Sequence, residues 1–238
     1  VQVLSSTGSG SYAGVIAGIN WAANNATNEG VKGIISMSLG GGKSISVNNA
    51  VDDAMNNWGV PSSCSAGNSN ADAANSSPAS ATKAITVGAT QNDDKMAHYT
   101  NWGPTVEIFA PGTAISAAWL HGGIQSLSGT SMSAPHVSGV LAALWAENDG
   151  LSAAQAVEKL YCIATPDVLS PHPNTPAGHN SPNLLLRGGS AVADDGECFD
   201  DPDDPTDPAP NPTSPPVPPE KNCGPFYFQQ PGKACPTG

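Results

Sequence analysis

The densest chemical signal in the 238-residue chain is Ser128-Gly129-Thr130-Ser131-Met132-Ser133-Ala134-Pro135-His136-Val137, a run of mostly small residues leading into an apolar-periodic stretch. Proline is tolerated in the first turn of a helix, where its missing N–H has no intrahelical partner to lose. Pro135 therefore predicts a helix that starts at about Ser131 to Ser133, with Ser131 at its amino end. Unpaired backbone N–H groups and the positive end of the helix dipole converge there. A serine so placed suits attack on a carbonyl and stabilisation of the resulting oxyanion. It also suits a capping role, in which its hydroxyl accepts from those same N–H groups. Asn68, after Ser65-Ala66-Gly67, has a side-chain amide that can donate to such an oxyanion; its other reading is a loop asparagine tolerating an unusual backbone.

The elements that position these residues follow from periodicity. Ser11 to Asn24 begins with a capping serine and places Val15, Ile16 and Ile19 at helical spacing. Gly33 to Leu39 alternates as a strand and runs into Gly40-Gly41-Gly42. A second helix starts at Ser46 and is ended by Gly59. Val60 to Ala66 reads as a strand with an unusually polar interior at Ser62, Ser63 and Cys64. Ala84 to Ala89 and Val106 to Phe109 are further short strands, and Ser131 to Glu147 is a helix with Val137, Leu141, Leu144 and Trp145 on one stripe. Helices alternating with short apolar strands imply an α/β fold, a mainly parallel sheet covered on both faces. Sites in such sheets form in the loops at the carboxyl ends of the strands, where both motifs lie.

Gly129 to Val137, GTSMSAPHV, resembles the serine signature of the subtilases, and the fuller pattern is similar to their proteinase K branch. Gly8-Ser9-Gly10 with Tyr12 resembles the family's first substrate-binding strand, and Ser38-Leu39-Gly40-Gly41 its second. Ser65-Ala66-Gly67-Asn68 resembles the oxyanion-hole loop. The likeness continues through Asn70 to Ala73, Ser77 to Ser80, Phe109 to Gly112 and Asn183 to Leu185, so it covers roughly Val1 to Arg187. The resemblance implies a subtilisin-like three-layer sandwich that hydrolyses polypeptides, with Ser131 as nucleophile and the Asn68 amide and the Ser131 backbone N–H as oxyanion donors. Gly8, Ser9 and Gly10 would run along one side of an extended peptide and Ser38, Leu39 and Gly40 along the other, pairing with its backbone. Leu39, Ala66, Gly67 and Asn68 would line a pocket with room for a sizeable apolar or aromatic side chain. No cofactor is needed for the chemistry. The resemblance also implies a structural Ca²⁺ held by Glu107 with the Thr82 and Ala84 carbonyls, although this chain has Glu where the family has Asp.

In subtilases the catalytic order is Asp, His, Ser, with the first two upstream of the Gly-Ser-Gly strand. Only seven residues precede Gly8, and none is Asp or His. The expectation is an amino-terminally truncated fold, cut before Val1. None of His98, His121, His136, His172 and His179 is assigned a catalytic role. Two readings follow: a secreted serine endopeptidase whose Asp and His lie upstream, or a non-catalytic peptide-binding module that keeps the groove alone.

Charge and proline divide the chain near Gly188. Of 20 acidic residues, 9 follow Gly188 against two lysines, so the tail carries −7 of the net −12; 12 of the 22 prolines lie there too. Residues 1–188 therefore read as the catalytic domain, and 189–221 as an acidic Pro-rich disordered linker. Residues 222–238, with Cys223 and Cys235, read as a short cysteine-bearing segment: the start of a small module, a self-closed loop or a disordered end. No basic patch exists to meet nucleic acid. No apolar run approaches the roughly 20 residues of a membrane span. Cys64, Cys162, Cys198, Cys223 and Cys235 contain no CxxC pair, so disulfides are their expected use, with an odd one left over. A monomer is expected.

Overall fold

The computed structural model describes residues 1–188; the expected linker at 189–221 and the cysteine-bearing segment at 222–238 lie outside them. In chain order the strands are β1 (Ile35–Met37), β2 (Gly41–Gly42), β3 (Ser62–Ser65), β4 (Ser76–Ser77), β5 (Ala84–Thr90), β6 (Ile108–Pro111), β7 (Ile115–Ala118), β8 (Ile124–Leu127), β9 (Thr165–Pro166) and β10 (Leu184–Leu185). The helices are α1 (Tyr12–Asn28), α2 (Ile45–Trp58), α3 (Thr130–Glu147) and α4 (Ala153–Cys162). Six strands form one sheet in the order β1-β3-β5-β6-β10-β9. All its pairs are parallel except β10 with β9. One face is covered by α1 and α2, through Val15, Ile19, Val47 and Val51 packed with Met37 and Cys64. The other is covered by α3 and α4, through Val137, Leu141, Leu144 and Leu160 packed on Ile85, Val87 and Ile108. The expected layered α/β architecture is therefore present.

Local chemistry accounts for the helix ends. The Ser11 hydroxyl accepts from Gly14 N–H, and α1 continues past its expected end to Asn28 because Ala26 is buried one further turn along. For α2 the cap is Ser44 and the helix starts at Ile45, one residue earlier than expected, and Gly59 stops it in the left-handed region at φ 62°.

The start of α3 needs a correction. It begins at Thr130, so Pro135 lies in the second turn, where a missing N–H does leave a carbonyl unserved, that of Ser131. The Ser38 hydroxyl donates to that carbonyl at 2.6 Å.

The polar strand β3 is buried throughout. Ser63 donates to the Ala134 carbonyl of α3 at 2.9 Å and Ser65 to Leu39 at 3.3 Å, so two of the three hydroxyls fasten neighbouring elements. Ser62 Oγ has no partner. Cys64 is a free thiol there, and burial pushes its pKa up strongly. Cys162 is disulfide-bonded. Several strands are displaced from their expected bounds: β1 and β3 are shorter, and β6 starts at Ile108, two residues late. The sequence reading missed the β7–β8 hairpin and α4, although α4 carries a capping box between Ser152 and Gln155.

Candidate active site

Asn68 follows the carboxyl end of β3, and Ser131 is the second residue of α3, so the sheet and the helix bring the two together. The contact runs through Thr130. Its backbone N–H and its hydroxyl both donate to Asn68 Oδ1, at 2.8 and 2.9 Å. With that oxygen occupied, the amide nitrogen is the end of Asn68 left to donate elsewhere. A Cβ on Gly129 would stand 3.4 Å from that nitrogen, so glycine there keeps the space beside it open. As the second residue of α3, Ser131 has an N–H with no carbonyl four residues back inside the helix. Two donors are thus available on one side of a half-buried serine.

The loop carrying Asn68 is held by Asn101, which is buried. Asn101 Oδ1 accepts from Ser69 and Ala71 N–H at 3.0 and 3.1 Å, and its Nδ2 donates to the Ala66 carbonyl at 2.9 Å. Asn101 N–H also donates to the Gly67 carbonyl at 2.9 Å. Gly67 has φ 105°, and a Cβ there would approach Asn101 Nδ2 to 2.4 Å, so both conformation and space require glycine. Its N–H donates to Thr130 Oγ1 at 3.1 Å. Sequence reading passed over both Thr130 and Asn101. Thr130 lay inside the quoted run, whereas Asn101 is 33 residues from Asn68 and has no local signal.

On its other side Ser131 meets little. Its Oγ donates only to the Ser38 carbonyl at 3.5 Å, long for a hydroxyl hydrogen bond. All five histidines are described and none bonds Ser131. His136 Nδ1 bonds the Met132 carbonyl of its own helix, His98 stacks near His172, His179 meets Ser181, and His121 sits in the turn after β7.

Ser38, Leu39 and Gly40 follow β1, and Ser38 meets Ser131 through its hydroxyl and its carbonyl. Gly8 instead closes a turn, donating its N–H to the Ser5 carbonyl with φ 75°, and Ser9 and Gly10 leave it without joining a strand. Tyr12 links the two segments: its hydroxyl donates to the Gly42 carbonyl at 2.8 Å.

Glu107 is half-buried, ahead of β6, and its carboxylate accepts from the Tyr161 hydroxyl. Burial raises its pKa, and the Tyr161 hydrogen bond opposes the rise. Ala84 opens β5 and Thr82 is exposed before it. Among the described residues no group of three or more His, Cys, Asp or Glu could hold a metal ion. Calcium takes about six to eight oxygens. Glu107 with two carbonyls would fit it only with water completing the shell.

The family model of the subtilases matches residues 1–179. The chain is 48% identical over 155 residues to the alkaline serine exoprotease A of Vibrio alginolyticus, covering 65% of this chain and 28% of that one. It is 42% identical over 196 residues to subtilisin-like protease 1 of Arthroderma gypseum, covering 82% and 39%. The chain thus spans well under half the length of these two relatives. Among solved structures, that of a cold-adapted subtilisin-like serine proteinase superposes with a TM-score of 0.72 at 41% identity, covering 80% of this chain and 66% of the other. With the family model spanning most of the chain, this protein belongs to the subtilase family, peptidase S8.

Proposed function

We propose that this chain carries the nucleophile and oxyanion hole of a serine endopeptidase that cleaves polypeptides through an acyl-enzyme on Ser131. The observation that carries the reading is the Asn68 amide, held by Thr130 with its oxygen occupied and its N–H free beside Ser131. Ser131 Oγ attacks the peptide carbonyl carbon, and its proton passes to a base that the described residues do not supply. The charge that develops on the carbonyl oxygen is met by the Asn68 amide and the Ser131 N–H. Collapse expels the amine with that proton, and water then releases the acyl group by the same route in reverse. Main-chain pairing along Ser38 to Gly40 would make recognition broad. One relative's name, alkaline serine exoprotease A, supports secretion of the parent.

The test is fluorophosphonate labelling of the parent protein. Ser131 is expected to label quickly there, and Asn68→Ala to lower kcat by about 10² to 10³ with little change in KM, the magnitude known for the equivalent amide of a subtilisin. In the isolated chain labelling is expected to be slow, because a serine without its base falls towards the residual rate of the hole. A parent that binds peptides yet never labels would sink the reading in favour of a binding module.

Calcium at Glu107, Thr82 and Ala84 is a separate proposal. It is supported by a half-buried carboxylate that forms no ion pair among the described residues. Millimolar Ca²⁺ should raise the Tm of the wild type but not of Glu107→Ala; equal shifts in both would remove it.

A further inference from the structure

We propose that Asn25 is an N-glycosylation site and that the first sugar of its glycan packs on the indole of Trp21, one helical turn earlier. Asn25-Ala26-Thr27 is an acceptor sequon for N-linked glycan in a protein that passes through a eukaryotic secretory route. Such a tripeptide is short enough to arise by chance, so the surface around it decides. Of the readings above, this one rests on secretion of the parent and not on the role of Ser131.

The helix α1 runs from Tyr12 to Asn28 without a charged residue. Its inner face is buried through Val15, Gly18, Ile19, Ala23 and Ala26. A helix on the surface of a globular protein ordinarily sets charged side chains opposite such a face. Here the outer face carries Asn20, Trp21, Asn24, Asn25 and Asn28, all exposed. Tryptophan is highly buried on average, yet Trp21 is 58% exposed and has no hydrogen-bond partner among the described residues. Residues four apart on a helix have Cβ atoms about 5–6 Å from each other. Helical side chains lean toward the amino end, which carries the Asn25 amide toward Trp21. That amide is available: Asn28 Nδ2 donates to Asn24 Oδ1 at 2.6 Å, whereas the Asn25 side chain makes no hydrogen bond among the described residues.

Transfer must precede folding of α1, because the Thr27 hydroxyl has to reach the Asn25 amide and in the helix it donates instead to the Ala23 carbonyl at 3.0 Å. On the nascent chain the Asn25 amide nitrogen attacks the anomeric carbon of an N-acetylhexosamine supplied as a lipid-linked pyrophosphate sugar. A C–N bond forms, the anomeric C–O bond breaks, the lipid pyrophosphate leaves and the amide gives up one proton. The helix then forms with the glycan outward. One face of the sugar ring is made of C–H groups, and against the indole it covers apolar surface that otherwise meets water. The candidate active site is not obstructed: it lies towards the amino end of α1, where Tyr12 reaches the Gly42 carbonyl, roughly 20 Å from Asn25. The second sequon, Asn75-Ser76-Ser77, is a contrast. Ser77 precedes Pro78, which restricts its backbone, and its hydroxyl is buried against Ser44 and Asn48.

The test secretes the full chain from a eukaryotic host behind a leader peptide. Tryptic peptide 1–32 is then read by mass spectrometry before and after enzymatic release of N-glycans, which leaves Asp at the acceptor position. Asn25 is expected to carry a glycan in most molecules, and Thr27→Ala, which keeps both Asn25 and Trp21, to carry none. Cell-associated chain is read as well, so misfolding does not hide the modification. Because the leader supplies the route, a bare Asn25 overturns the site and not secretion. The contact with Trp21 is read in the parent protein made in the same host. Release of the glycan should lower its Tm by about 2–4 °C and raise acrylamide quenching of Trp21, taken as the difference from Trp21→Phe. In Trp21→Ala release should leave the Tm unchanged. Equal Tm shifts in wild type and Trp21→Ala would overturn the packing on the indole, as would shielding of Trp21 in the glycan-free protein that rises with its concentration, the mark of a second copy on that face.

Discussion

On the Asn68 side of Ser131 the chain itself fixes the loop and leaves only the donors open: Thr130 occupies the Asn68 oxygen, Asn101 ties Ala66, Ser69 and Ala71, and Gly67 donates to Thr130. On the Ser38 side the Ser131 hydroxyl has one long contact, and among the described residues no strand pairs with the outer edge of β1. The first side is preorganised by this chain alone, which is what an oxyanion hole needs, because its donors must not reorganise when charge develops. Ser131, the proposed nucleophile, therefore sits between a finished half-site and a sparsely contacted one.

The largest expected effect tests the finished half. Asn101→Ala leaves the buried Ala66 carbonyl and the Ser69 and Ala71 N–H groups without this partner, and should cost about 2–3 kcal/mol in a denaturant titration. A loss no greater than that from a change at Ser38 would erase the contrast between the sides. Thr130→Val keeps the shape but removes the hydroxyl that donates to Asn68 and accepts from Gly67. It should cost about 1–2 kcal/mol of stability and, in the parent, about tenfold in kcat with KM unchanged; a change confined to KM would show that Thr130 does not position the amide. Ser38→Ala leaves the Ser131 carbonyl to water and should cost about 1 kcal/mol or less.

The smallest effect lies away from both sides. Burial raises the Glu107 pKa, so between its ordinary value and the raised one the folded chain keeps a proton that the unfolded chain has lost. Stability from this group is present below that window and falls as pH rises through it. Glu107→Gln should flatten the Tm-against-pH curve there. An unchanged slope would place the pH dependence elsewhere.

Much of this was legible locally. Ser11 and Gly59 mark helix ends because capping and left-handed termination depend on a few neighbouring residues. The stripe Val137, Leu141, Leu144 and Trp145 was readable from period alone and is buried. Pro135 misled the placement of the α3 start because its cost is offset at a distance, by a hydroxyl 97 residues earlier in the chain. The hairpin β7–β8 escaped because its strands are short and mostly exposed, with no strong alternation to read.

The sequence by itself determined the element order, the serine at a helix amino terminus and the asparagine after a strand, since each follows from short-range periodicity, capping and turn chemistry. Only the tertiary structure decided which end of the Asn68 amide is free, which residue holds its loop, and that β1 ends the sheet among the described residues. Those outcomes depend on hydrogen bonds and strand pairings between residues far apart in the chain, whose partners local spacing does not encode.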